Sequence, residues 1–238
     1  MKNFLLKTSC FLLIWSAVSV STASAAQLFV SVKNITHSIY FTPLLITAHS
    51  SETHLFRLGE SASPELRAMA EGGDISGLSG LAGGADADTV ENPAEGLLAP
   101  GASVTDIFID TDQTGNTLLS LVAMLLPTND GFVGLDSLEL PETPGIYTFY
   151  LNGYDAGTEA NDELITGGGA PGVPGIPAAP GGDAGMDGTG VSSSDANTKV
   201  HIHRGNLGDG DPSGGSSDLD FSIHRWLNPV AEVIIEIL

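Results

Sequence analysis

The chain of 238 residues carries 29 acidic side chains against 8 lysines and arginines, a formal charge of −21. That balance repels nucleic-acid phosphates and anionic head groups, so nucleic-acid binding is excluded as a function class. Cys10 is the single cysteine, which excludes an internal disulfide framework.

The first segment is MKNFLLK, a short basic start, followed by the apolar FLLIWSAVSV and a small-residue ASA. This is the layout of a secretory signal peptide, residues 1–25, of bacterial style. Its apolar core, Phe11 to Val20, falls well short of the roughly 20 residues of a membrane-spanning helix, so no integral span remains after cleavage. Cys10 precedes that core and Lys7 stands where a lipobox wants an aliphatic residue, which argues against lipidation. Beyond the leader, 213 residues hold no cysteine and set 6 basic against 29 acidic side chains, a balance of −23. They are read as one secreted, periplasmic or cell-surface domain, 26–238. An exported domain without cross-links relies on a sizeable core or on bound ions.

In chain order, LFVSVKNI (28–35) alternates apolar and polar residues and predicts a strand. Ser63, Pro64 and Glu65 then give a cap, a first-turn proline and an early acid, with Leu66, Met69 and Ala70 on one face and Gly72 to close a short helix. DISGLSGLAGG after it predicts a second, weaker turn or helix, since its glycines disfavour both. Alternation returns in SVTDIFID (103–110), IYTFYL (146–151), KVHIH (199–203), LDFSIHRW (219–226) and VAEVIIEI (230–237). LLSLVAML (118–125) is a more continuous apolar run ended by Pro127, as expected of a strand covered on both faces. Residues 167–197 are rich in glycine, proline, alanine and serine, and Ala178 breaks their brief collagen-like register, so they are read as a flexible insertion. The fold class expected is mainly β: an antiparallel β-sandwich with one or two short helices and a long Gly/Pro-rich loop.

Acidic residues concentrate after the 146–151 strand, in NGYDAGTEANDE. Asp155 and Glu159 lie four apart with Gly157 between them to let the loop bend back, so both carboxylates can face one centre. PTNDGFVGLD (127–136), read as a second acidic turn, supplies Asp130. Hard cations such as Ca²⁺ take roughly six to eight oxygen ligands in irregular geometry, and loops of this composition suit them. Ordinary turn chemistry accounts for the same residue types.

PTND, YDAGTEANDE and the final NPVAEVII together resemble the spondin domain family, the N-terminal module of F-spondin and mindin. The resemblance runs from LFVSVKNIT to the C-terminus and implies a calcium-binding β-sandwich of C2-like character. It carries the family's metal ligands onto Asp130, which follows a turn matching the family's Pro-Ser-Pro, and onto Asp155 and Glu159, which match the acids of its Asp-Ala-Gly-Thr-Asp motif. Two departures stand out: Glu159 replaces an aspartate, lengthening the reach by one methylene, and the cysteines usual in animal members are missing.

Other metal patterns are weaker. DGDPSGGSSDLD (209–220) puts Asp209, Asp211, Ser213, Gly214, Ser217 and Asp220 at EF-hand offsets, but Asp220 stands where a bidentate glutamate belongs and Ser216 where an aliphatic residue belongs. His201 and His203, two apart on an expected strand, share a face and need a third ligand, for which His224, Asp209 and Asp211 are candidates. No GxSxG, HExxH, P-loop or dinucleotide fingerprint occurs. The function implied is an exported, non-enzymatic Ca²⁺-binding module for recognition or adhesion, directed at a cell-surface, matrix or glycan ligand. The alternatives are a metal-dependent hydrolase using His201 and His203, and a structural envelope protein.

Overall fold

The computed structural model describes residues 26–83, 87–194 and 197–238. The segment read from the sequence as a signal peptide, 1–25, lies outside the described residues. Among the described residues there are ten strands, all paired antiparallel: β1 (Gln27–Asn34), β2 (Tyr40–Phe41), β3 (Leu45–His49), β4 (Asp88–Glu91), β5 (Ser103–Asp110), β6 (Leu118–Leu126), β7 (Gly131–Glu139), β8 (Gly145–Asp155), β9 (His201–Ile202) and β10 (Ala231–Ile237). Two short helices, α1 (Pro64–Gly72) and α2 (Ser76–Leu81), sit between β3 and β4.

The strand order is β4-β3-β6-β7-β8-β10-β1-β5, with β2 added to β6 and β9 to β8. The path curls until its end strands approach. Asp88 of β4 accepts hydrogen bonds from Thr114 Oγ1 at 2.6 Å and Asn116 Nδ2 at 3.1 Å, just past β5. The expected sandwich is therefore rolled nearly into a barrel.

Alternation explains the barrel interior. Leu28, Val30 and Val32 of β1 and Val233, Ile235 and Ile237 of β10 point inward and are buried, while Lys33 and Glu236 point out. β6 is buried from Leu119 onward, as its continuous apolar run predicts. Leu119, Leu121, Ala123 and Leu125 enter the barrel core, whereas Val122, Met124 and Leu126 pack under the helices with Leu66, Met69, Leu78 and Phe132. Each such valine, leucine, methionine or phenylalanine, when fully buried, stabilises the fold by roughly 1.5–3 kcal/mol.

α1 starts where its sequence says it should: Ser63 Oγ accepts the Leu66 N–H at 3.1 Å and Pro64 occupies the first turn. It ends one residue later than expected. Gly73 takes the left-handed cap at φ 74° and donates its N–H to Met69 O at 2.8 Å. Gly72 is the last helical residue, and a Cβ there would meet the Gly169 carbonyl oxygen at 2.0 Å.

Three expectations for local structure are corrected. LDFSIHRW (219–226) is not a strand: Asp220 Oδ1 takes both the N–H and the hydroxyl of Ser222 at 2.6 Å, and its carbonyl takes the His224 N–H, so the chain turns. KVHIH forms a strand only over His201–Ile202, opposite Asp155 and Tyr154, with the His203 N–H still donating to Gly153 O at 3.1 Å. Of PTNDGFVGLD, only 127–130 is a turn, and Gly131 opens β7. The Gly/Pro-rich stretch forms neither helix nor strand between Gly167 and Ser194, yet Ile176 is fully buried, with its N–H on Leu164 O at 2.8 Å.

Candidate metal centre

The β7–β8 register brings the acidic turns together by pairing Gly131 with Asp155. Ala156 N–H then donates to Asp130 O at 3.2 Å, fastening the start of one turn to the start of the other. Thr128 Oγ1 accepts the Gly131 N–H at 3.0 Å and donates to Leu125 O at 2.6 Å, shaping the turn that carries Asp130. On the other side Asp155 Oδ1 accepts the Gly157 N–H at 2.8 Å, and Gly157 bends the chain back at φ 69°. A Cβ at Gly157 would lie 2.5 Å from Lys199 N, so only glycine fits.

The returning loop closes on Asp130. Its Oδ2 accepts the N–H groups of Thr158 and Glu159 at 2.7 and 3.0 Å and the Thr158 hydroxyl at 3.2 Å. Glu159 Oε2 accepts the Gly175 N–H at 3.0 Å, so the Gly/Pro-rich segment covers this carboxylate. Asp155 Oδ2 accepts from Asn161 Nδ2 at 2.7 Å. All three proposed ligands are buried.

Two oxygens in this arrangement, Asp130 Oδ1 and Glu159 Oε1, are buried without a hydrogen-bond partner. Leaving such an acceptor unsatisfied costs about 1–3 kcal/mol, and more when it is charged. The electrostatics agree. Burial, then the Asp155 charge, pushes Asp130 from 3.8 up to about 7, against the opposing N–H groups of Thr158 and Glu159. Burial likewise lifts Glu159 from 4.5 to about 7, with the Glu71 and Asp130 charges adding to it and the Gly175 N–H opposing it. A hard cation offers both bare oxygens a partner and both carboxylates a compensating charge. Asp155 takes hydrogen bonds on both oxygens, from the Gly157 N–H and from Asn161 Nδ2. The donor set fits Ca²⁺ in type, although among the described residues no group of three or more His, Cys, Asp or Glu side chains is already gathered as a metal cluster. Backbone carbonyls and water would complete such a shell.

The two histidines meet different surroundings. His203 lies past the end of β9, buried, with its ring 4.9 Å from that of Trp226 and its Nδ1 accepting the Gly205 N–H at 2.8 Å. Burial, reinforced by the Arg204 and His201 charges, holds it down at about 3. His201 is partly exposed, with Nδ1 2.8 Å from Lys199 O and 3.7 Å from Asp155 Oδ1. His224 Nδ1 accepts the Asp220 N–H at 3.1 Å. In the 209–220 loop, Asp209 accepts the N–H groups of Asp211, Ser216 and Ser217, and this hydrogen bonding holds its carboxyl below the usual range. That is the chemistry of a self-capped turn.

Sequence reasoning missed two supports of the site. Asn129 bridges it, donating to Asp162 Oδ1 at 2.8 Å and accepting the Glu163 N–H at 3.2 Å. Glu163 is buried and pins the later loop by accepting Leu207 N–H, Gly208 N–H and the Ser217 hydroxyl at 2.6–2.8 Å. Both stand inside the quoted acidic stretches, so their composition was the available signal.

No helix among the described residues is long and apolar enough to cross a membrane. No curated protein matches the chain. A family model described as Spondin_N matches residues 27–164, from β1 through the acidic turn that follows β8. Spondin domains are typically extracellular and generally non-catalytic. The match spans more than half of the chain and both turns of the acidic site, and on that basis the protein belongs to the spondin N-terminal domain family.

Proposed function

We propose that this is an exported, non-enzymatic recognition or adhesion module whose acidic turns hold Ca²⁺ through Asp130, Asp155 and Glu159. The observation that carries the reading is the pair of buried, partnerless oxygens, Asp130 Oδ1 and Glu159 Oε1, at the meeting of two acidic turns. Bound there, the ion offsets two of the three carboxylate charges and ties the β6–β7 turn to the loop after β8 and, through Glu159, to the Gly/Pro-rich segment. The loops at that end of the barrel are thereby fixed as one rigid surface, which lowers the entropy lost on engaging a cell-surface, matrix or glycan ligand. Export is supported by the basic start, apolar core and small-residue end of residues 1–25.

The test is metal analysis of protein purified without added metal, followed by Ca²⁺ titration with melting temperature as the readout. Binding to the folded state alone raises stability by about 2.7 kcal/mol at a hundredfold excess over Kd. Asp130→Asn and Glu159→Gln should remove that rise. A chelated wild type that takes up no Ca²⁺ and melts at the same temperature with and without it would overturn the reading.

A further inference from the structure

The ladder between β7 and β8 runs only from Gly131 opposite Asp155 to Gly134 opposite Asn152. Beyond it, β7 stays with β6 through Glu139, and β8 stays with β10 from Leu151 back to Gly145. The two strands fork there, and at the fork lies an open hollow of about 310 Å³. Phe56 and Leu58, from the loop before α1, line it together with Tyr150, Asn152 and Tyr154 of β8 and Asp136 of β7.

The lining is placed in advance. Tyr150, Asn152 and Tyr154 alternate along β8 and so share a face. Gly134 makes room for the ring of Phe56, since a Cβ there would sit 2.7 Å from it. Phe56 in turn packs at 5.0 Å from Phe132 and 5.1 Å from Tyr154, giving a fixed aromatic floor. Tyr150 and Leu58 are each 61 % exposed, so both are accessible to a ligand. Glu232 of β10 stands opposite Tyr150 across the β8–β10 ladder. Asp136 is held by His54 Nδ1 at 2.8 Å and by the Ser137 hydroxyl at 3.3 Å, and Ser137 keeps a left-handed backbone at φ 54°.

No lysine or arginine lines the hollow, and the Asp136 carboxylate stands at it, so an anionic ligand is repelled. Aromatic faces cover C–H surface, while a fixed carboxylate and a carboxamide accept and donate to hydroxyls. A pyranose presents both kinds of surface on one small ring, and the hollow has the volume of a small-ligand site. We propose that the fork between β7 and β8 is a binding subsite for a neutral saccharide ring, stacked on Tyr150 and hydrogen-bonded through its hydroxyls to Asp136 and Asn152. The proposal deepens the recognition reading and does not require the metal, because Asp155 follows Tyr154 and points to the opposite face of the strand.

The full chain is titrated by NMR with chitotriose, cellotriose and maltotriose, in Ca²⁺ and in EDTA. At least one binds at roughly millimolar Kd or tighter in both buffers. Tyr150→Ala and Asn152→Ala each weaken it by about tenfold or more with the melting temperature retained, whereas Met186→Ala, outside the hollow, changes nothing. The proposal is overturned if none of the three sugars binds, if Tyr150→Ala and Asn152→Ala bind as wild type, or if tetramethylammonium occupies the hollow in place of the sugars. Sugar binding lost in EDTA also overturns it, by placing the sugar at the ion. Sugar binding that persists in a protein unable to take up Ca²⁺ upholds the fork and sinks only the metal reading.

Discussion

Asp130 holds Glu159 in place: its Oδ2 accepts the Glu159 backbone N–H at 3.0 Å, so one proposed ligand positions the main chain of another. Their substitutions should therefore not be additive. In Ca²⁺, Asp130→Ala is expected to lose both a ligand and the loop anchor, while Glu159→Gln loses the charge alone. A double-mutant cycle on thermal stability should show coupling of about 0.5–3 kcal/mol in Ca²⁺. A coupling near zero would mean the two acids act separately.

Without metal, the pH dependence has a definite sign. Asp130 and Glu159 sit at about 7 in the folded chain, above their ordinary 3.8 and 4.5, so the folded state binds more protons than the unfolded one between those limits. Their contribution is fully present below pH 4 and is lost as pH rises through 7, with a slope of up to roughly 1.4 kcal/mol per unit for each group. Chelated protein should thus gain stability from this pair on acidification, and Ca²⁺ should abolish that gain by favouring the ionised forms. Denaturant melts at several pH values, with EDTA and with Ca²⁺, measure both slopes.

His203 works in the opposite direction. Its folded value near 3 lies below the ordinary 6.5, so its contribution is present above 6.5 and is lost as pH falls toward 3. In EDTA this loss offsets the carboxylate gain, so the cleanest measurement is in Ca²⁺. There, His203→Phe should flatten the acid limb of the stability profile while keeping a ring against Trp226. An unchanged limb would assign the acid sensitivity to other groups.

Gly157→Ala tests the bend itself. The new Cβ would meet Lys199 N at 2.5 Å and carry φ 69° on a residue that disfavours it. A destabilisation of roughly 1–3 kcal/mol is expected, together with weaker Ca²⁺ uptake, since Asp155 and Glu159 flank the bend. Leu121→Ala makes a useful contrast. It empties part of the barrel core and should cost about 2–5 kcal/mol without altering the Ca²⁺-dependent shift in melting.

Much of the architecture was legible because β1, β5, β8 and β10 each keep one face in the core and so alternate visibly. β6 was legible for the opposite reason: with cores on both of its faces, Ser120 is the one polar residue in its run. β3 escaped notice because LITAH is too short and too uniformly buried to show a period, and β4, DTVE, because its face is only half covered. In 219–226 the alternation was real but local side-chain hydrogen bonding at Asp220 defeated it. The three acids were visible as composition and motif. What composition could not convey was the Gly131–Asp155 register, the cover supplied by Gly175, or the two oxygens left bare, since each depends on segments far apart in the chain.

β10 lies between β8 and β1, so the last strand is an inner strand of the sheet with ladders on both sides. Its β1 partners lie some two hundred positions upstream, Val32 opposite Val233 for example, a separation that slows closure of the barrel. A chain cut at Asn228 would keep two bare flanks facing a strand-wide slot, and a donated strand from another molecule would fit that slot by backbone pairing alone.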